Sequence, residues 1–302
     1  MILCMDIGGT AVKLALIDGD GRIESRHEAA TCVRNYSVPI MDICLDNAED
    51  FLRCSGAKIH GVAVSATGQI DDRTGTVIGT NGKIPGYEGI PITSRCSERF
   101  GVPCCTINDA NAAALGECYA GSGKGFDPVL MITLGTGVGS GIVLGGRLFG
   151  GFRGIAGELG QFPMFAGRKD ARFGKRGWYE DYASASALVH RAEIESGETE
   201  LNGRTVFSRA AAGDAVMLHV LDLWTDDIAL GLIGFTHIFN PQCILIGGGV
   251  SAQEDLLMVP LREKVLNGVL PRFGENLEIK RASLGNDAGL LGAYAFWLNR
   301  FS

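Results

Sequence analysis

The stretch Met1-Ile-Leu-Cys-Met-Asp6-Ile-Gly8-Gly9-Thr10-Ala-Val-Lys13-Leu-Ala-Leu-Ile17-Asp18 decides the fold. The apolar run from Ile2 to Met5 predicts a strand, Asp6–Thr10 a glycine turn, Val12–Ile17 a second strand, and Asp18–Gly21 a hairpin turn before a third. The same grammar returns later in the chain. Val129–Leu134 reads as a strand, Gly135–Gly141 as a glycine turn, Ile142–Leu144 as a strand and Gly145-Gly-Arg147 as a hairpin turn. Such self-similarity predicts a duplication. Between the copies lie strands at Gly61–Ser65 and Val102–Ile107 and helical spacing at Met41–Arg53 and Ala110–Ala120. The second half adds helices at Ser184–Ser196 and Ala215–Phe239, a buried strand at Cys243–Ile246 and an apolar segment at Ala288–Leu298. The expectation is an α/β chain of two lobes with a central cleft. The smaller lobe is expected over 1–120, with 288–302 packed on it, and the larger over 121–287, joined near Ala120–Phe126.

Composition narrows the function. The 302 residues are 46% hydrophobic and 20% charged, ordinary for a globular chain, so disorder and fibre are excluded. Glycine is the outlier, 44 residues, without the three-residue period of collagen. Glycine loops beside a ligand account for it better. The net charge of −7, with no long Lys/Arg run, argues against nucleic acid as a partner. Nine scattered cysteines with no CxxC pair fit a reduced, cytoplasmic setting. A carboxylate at position 6 and no apolar run of membrane-spanning length predict a protein with no signal peptide and no membrane partner.

Three glycine loops invite chemistry. In Asp6-Ile-Gly8-Gly9-Thr10 the glycines let backbone N–H groups approach phosphate oxygens, and the carboxylate suits Mg²⁺ held through water. Alone, the segment reads equally as a plain hairpin turn. Its counterpart, with Gly135, Thr136, Gly137 and Gly139, favours two hairpins gripping the β- and γ-phosphates of a nucleotide, with Lys13 near the first. Gly247-Gly248-Gly249 after a strand formally matches a dinucleotide fingerprint but lacks the acidic residue expected about 20 positions on, and is expected to admit a nucleoside instead. Ala120-Gly-Ser-Gly-Lys-Gly-Phe126 fails the spacing of a P-loop.

Asn108-Asp109 follows a strand and opens a helix, where an ordinary N-cap is the simpler reading. The same position suits a base. A carboxylate in a first helical turn is kept ionised by the helix dipole and is able to accept the proton of an attacking hydroxyl.

Taken together, Asp6-Ile-Gly-Gly-Thr10, Ile107-Asn-Asp-Ala-Asn111, Leu134-Gly-Thr-Gly-Val-Gly139, Gly157-Glu-Leu-Gly160, Glu180-Asp-Tyr-Ala-Ser184 and Ile246-Gly-Gly-Gly-Val250 resemble, in order and spacing, the ROK family of sugar kinases and sugar-responsive repressors. The resemblance spans nearly the whole chain. It implies the duplicated actin-like, ribonuclease-H-like fold, ATP and Mg²⁺ as cofactors, a hexose as substrate and a homodimer. It makes Asp109 the base acting on a sugar hydroxyl, usually the 6-OH, and Asn81, Asn108, Glu158 and Glu180 the sugar ligands. Gln161 is expected to hydrogen-bond either the loop backbone or the sugar.

One motif departs from the family. Where members commonly carry a zinc-binding His and three Cys, this chain has Gln161, Ala171, Phe173 and Trp178, while Gly174-Lys-Arg-Gly177 is kept. No structural zinc is expected, and Phe173 and Trp178 are expected to fill its volume as an apolar plug. Members without the zinc motif resemble kinases of glucose, N-acetylmannosamine or β-glucosides, glucose being the first expectation. Two other readings stand beside it: a sugar-sensing repressor, which would need a helix-turn-helix ahead of the first strand, and an actin-like ATPase, which would not need Glu158 or Glu180.

Overall fold

The computed structural model describes residues 1–32, 35–80, 82, 84–165 and 177–301. It divides into two compact units, 1–124 with 141–157 and 286–302, and 125–140 with 158–285.

In the first unit the opening stretch forms β1 (Ile2–Ile7) and β2 (Ala11–Ile17), an antiparallel hairpin in which Asp6 pairs with Lys13 and Ile7 with Val12. β3 (Ile23–Ala30) continues it, and α1 (Ile40–Ser55) leads back to β4 (Gly61–Ala66), parallel to β1. A small hairpin, β5 (Gln69–Asp71) and β6 (Thr76–Gly79), and α2 (Ile92–Phe100) precede β7 (Cys104–Asn108). That strand runs straight into α3 (Asp109–Ala120). The sheet order is β3-β2-β1-β4-β7. β4 is buried at all six positions, as a central parallel strand demands.

The second sheet repeats the plan. β8 (Val129–Leu134), β9 (Val138–Leu144) and β10 (Arg147–Leu148) open it, and the order is β10-β9-β8-β11-β12. Helices α4 (Glu180–Ala183), α5 (Ala185–Ser196), α6 (Gly203–Ala211) and the long α7 (Ala215–Phe239) lead to β11 (Cys243–Gly247), parallel to β8. Then α8 (Val259–Gly268), α9 (Pro271–Gly274), β12 (Glu278–Arg281) and α10 (Ala288–Phe301) complete the chain. The duplicated α/β plan expected from the two glycine hairpins is present.

Segment 141–157, expected within the larger lobe, groups with the first unit. Gly141 gives the physical reason, since a Cβ there would lie 2.6 Å from Ala114 Cβ on α3. β9 and α3 touch backbone to backbone. α10 docks on the same helix through glycine: a Cβ on Gly292 would come within 1.7 Å of Ala112 O, and one on Gly116 within 2.3 Å of Ala288 O.

Candidate functional site

The turn joining β1 to β2 is tied back by its carbonyls. Gly8 N–H donates to Ala11 O at 2.9 Å, the Thr31 hydroxyl to Gly8 O at 3.0 Å, Thr31 N–H to Thr10 O at 2.9 Å and the Tyr36 hydroxyl to Gly9 O at 2.6 Å. Among the described residues, the N–H groups of Gly9 and Thr10 donate to no protein acceptor. A turn with its carbonyls spent and its amides left over is a cradle for an anion.

Asp6 stands at the end of β1 beside this cradle. The Ser65 hydroxyl donates to its Oδ1 at 2.7 Å, and Lys13 Nζ lies 3.8 Å from Oδ2 while donating to Asn286 at 3.2 Å. Burial pushes the carboxyl above the usual carboxylate range, opposed by Ser65 and Lys13. The first turn of α10 presses against it, and a Cβ on Gly289 would sit 2.9 Å from Asp6 Cγ. Mg²⁺ takes few carboxylates and keeps several waters. A fixed carboxylate beside an anion cradle fits that requirement.

The junction of β7 and α3 is built as tightly. Asn108 is the N-cap of α3: its Oδ1 accepts from Ala110 N–H at 2.9 Å and Asn111 N–H at 3.1 Å. Its Nδ2 donates to Gly68 O at 2.9 Å and to Asp109 Oδ1 at 3.0 Å. Ala110 N–H also reaches Asp109 Oδ1, at 2.8 Å. The pKa of Asp109 is raised to about 6, because burial outweighs the hydrogen bonds from Ala110, Thr67 and Asn108, and the negative charge of Asp6 adds to the rise. The helix N-terminus therefore does not hold this carboxyl at the ordinary value, as the sequence suggested. It leaves it poised just below neutral pH.

In the second unit Gly135 N–H donates to Gly137 O at 3.0 Å, closing a turn of Gly135, Thr136 and Gly137. The turn is shorter than Gly135–Gly141, because Gly139 and Gly141 lie within β9. Val138 is buried and opens the strand, so the chain is already extended there. Glu180, at the start of α4, rests on this turn: Val138 N–H donates to its Oε2 at 3.4 Å, and a Cβ on Gly137 would come within 2.6 Å of that atom. Leu159 N–H donates to Ser140 Oγ at 3.1 Å, and a Cβ on Gly160 would meet Val138 O at 2.2 Å. The short helical turn Leu159–Gln161 is thereby laid along β9, with Glu158 and Gln161 exposed. Gly247 ends β11 rather than opening a loop, and the chain turns at Gly248 (φ 90°), where a Cβ would lie 2.2 Å from Leu134 O. The third glycine segment thus crosses the end of β8 beside Gly135.

The structure brings Asp6, Gly8, Gly9, Thr10 and Lys13 together on one hairpin, and Gly137 and Glu180 together in the other unit. Asn81, Ala171 and Phe173 lie outside the described residues. Trp178 is half-buried, its N–H donating to Asp181 Oδ2 at 3.1 Å. Sequence reasoning missed Ser65, Thr67 and Gly68, which hold Asp6, Asp109 and Asn108 respectively. The available signal was a polar run at the carboxyl end of a parallel strand, where α/β sheets place ligands. Tyr36 and Gly289 had no local signal.

Comparison with known proteins sharpens this picture. The chain is 33% identical over 306 residues to the glucokinase of Thermotoga maritima, covering 97% of this chain and 95% of that one. It is 32% identical over 294 residues to the β-glucoside kinase of Klebsiella pneumoniae, covering 97% and 94%. The fold matches the crystal structure of a ROK family glucokinase from Streptomyces griseus in complex with glucose and AMPPNP, with a TM-score of 0.76, 30% identity and 97% of each chain covered. Among the described residues no helix is long and apolar enough to cross a membrane. The family model described as ROK family matches residues 2–300, and the motif order, the duplicated sheets and these relatives agree with it: the chain belongs to the ROK family.

Proposed function

We propose that this ATP-dependent sugar kinase transfers the γ-phosphoryl group of ATP to the 6-hydroxyl of a hexose, glucose first among the candidates, with Asp109 as the general base. The observation that carries the reading is the Asp109 carboxylate, anchored through Oδ1 by two N–H donors and poised near 6. Such a group is mostly ionised at neutral pH yet basic enough to accept a hydroxyl proton, the combination general-base catalysis favours.

The Gly9 and Thr10 amides and Lys13 bind phosphate oxygens, and Gly135, Thr136, Gly137 and Gly139 are further nucleotide-binding residues. Gly247 and Gly248 admit the nucleoside. Asp6 holds Mg²⁺ through water; when bound, that ion neutralises charge on the phosphates. Glu180, Glu158, Gln161 and Asn81 read the sugar hydroxyls, since paired carboxylate and amide hydrogen bonds discriminate polyol stereochemistry well. The β-glucoside kinase relative supports a glycoside, and the zinc-lacking motif N-acetylmannosamine, as alternative substrates. A homodimer in the cytoplasm completes the proposal, supported by nine scattered cysteines with no CxxC pair and by exposed Leu230, Ile238 and Leu270.

The test is a hexose panel. ADP release and sugar phosphate are measured together, with and without each of glucose, mannose, N-acetylmannosamine and a β-glucoside. One hexose should stimulate ADP release and yield one sugar phosphate per ADP. ATP turnover indifferent to every sugar would instead favour an actin-like ATPase.

A further inference from the structure

We infer that Thr31 and Tyr36 are positioning residues for the phosphate cradle: their hydroxyls hold two peptide planes so that the amides of Gly9 and Thr10 are presented to the nucleotide. The inference rests on that cradle taking the phosphates of ATP. A trans peptide unit is planar, with its C=O and the N–H of the following residue pointing to opposite sides. Gly8 O and Gly9 N–H share one such plane, and Gly9 O and Thr10 N–H share the next. Glycine has no Cβ to restrict either plane, so a turn of this kind needs an outside hold. The Thr31 hydroxyl donates to Gly8 O at 3.0 Å and the Tyr36 hydroxyl to Gly9 O at 2.6 Å. Each bond made at a carbonyl aims the amide on the opposite edge of the same plane. Those two amides are the ones left without a protein acceptor among the described residues.

Tyr36 holds its place against local preference. It lies in the connection from β3 to α1 with a left-handed backbone, φ 61°, as does Asn35, φ 54°. Asparagine tolerates that region, whereas a tyrosine there is strained, and such strain persists only where the surroundings impose it. The conformation sets the half-buried phenol against the turn: a Cβ on Gly9 would lie 3.6 Å from the Tyr36 oxygen and 3.7 Å from Ile84 Cδ1. The Cys32 thiol hydrogen-bonds the same hydroxyl. Thr31 is fully buried, and its N–H donates to Thr10 O at 2.9 Å. One short connection thereby occupies the carbonyls of all three turn residues, Gly8, Gly9 and Thr10, and leaves the Gly9 and Thr10 amides for an anion.

The decisive variant is Tyr36→Phe, which removes one oxygen and keeps the ring. A single hydrogen bond is worth about threefold to tenfold in an equilibrium constant. The expected result is a rise of that size in the KM for MgATP and in the calorimetric Kd of a non-hydrolysable MgATP analogue, with kcat and the hexose Kd within about twofold of the wild type. A phenol that only supports the fold would lower Tm and leave nucleotide affinity unchanged. That outcome overturns the inference, and so do equal losses of affinity for nucleotide and hexose. Should Tyr36→Phe melt well below the wild type, Thr31→Val, of the same shape, puts the neighbouring peptide plane to the same assay. Amide NMR spectra of the wild type keep the two layers apart. Gly9 and Thr10 signals that move on adding the analogue support the cradle; if they stay still, the cradle reading has failed and takes the inference with it. Movement of those signals beside an unaltered nucleotide affinity in Tyr36→Phe defeats this inference alone.

Discussion

The two glycine hairpins are copies in plan and differ in where their carboxylate comes from. In the first, Asp6 belongs to the hairpin itself, two residues before Gly8, and is steadied by Ser65 from the neighbouring strand. In the second, the residue leading into the turn is Leu134, and the acid is imported: Glu180, more than forty positions on, sits against Gly137. Duplication thus preserved the hairpin plan and let the charges diverge. The first unit also holds the second carboxylate, Asp109, whose pKa of about 6 owes part of its rise to Asp6. In the proposed function, the unit with two acids does the metal and proton work and the one with an imported acid reads the substrate.

This division is breakable by substitution, and the largest effect is expected at Asp109. Asp109→Asn keeps the size of the side chain but cannot accept the proton, and kcat should fall by about 10² to 10⁴ while ATP affinity by calorimetry is nearly unchanged. Glu180→Gln, its counterpart in the other unit, should act mainly on the hexose KM. Asp6→Asn comes next. Loss of a carboxylate acting through metal-bound water should lower turnover by about 10 to 100-fold and raise the Mg²⁺ concentration needed for half-maximal rate.

Two helix glycines give a smaller contrast, in stability. Gly292→Ala drives a Cβ to 1.7 Å from Ala112 O, so thermal unfolding should show a loss of about 1–3 kcal/mol. Gly234→Ala, within α7 of the other unit, meets nothing within 4 Å and should instead gain about 0.5–1 kcal/mol from the reduced freedom of the unfolded chain. Smallest of all is the effect of a chelator. With Gln161, Ala171, Phe173 and Trp178 at the four ligand positions, no zinc ligand remains in the motif, so EDTA should leave Tm unmoved and elemental analysis should find no stoichiometric zinc.

Much of the fold was legible in the sequence because it is written in short-range pattern. The 25-residue helix Ala215–Phe239 and the strand from Cys243 follow directly from apolar spacing. The hairpin β5–β6 and helices α6 and α8 escaped, since short or mixed-polarity segments carry little periodicity. The extent of the second glycine turn was misread for a different reason. Gly139 and Gly141 resemble turn residues in sequence, yet Gly141 is small because α3 lies against it, a contact visible only in three dimensions. The same limit applies to the site. Asp6, Asn108 and Asp109 stand in motifs, but the burial that lifts Asp109 and the Ser65, Thr67 and Gly68 partners belong to tertiary structure.

The central claim is that a buried carboxylate titrating near 6 is the base, and the pH dependence of kcat/KM for the hexose tests it most directly. A carboxyl with a raised pKa loses its active, ionised form as pH falls through that value, so kcat/KM should be level above about pH 7 and fall tenfold per unit below about 6. Burial and the charge of Asp6 move this limb up, and the hydrogen bonds from Ala110, Thr67 and Asn108 move it down. A kcat/KM that stays level down to pH 4.5 would contradict the account.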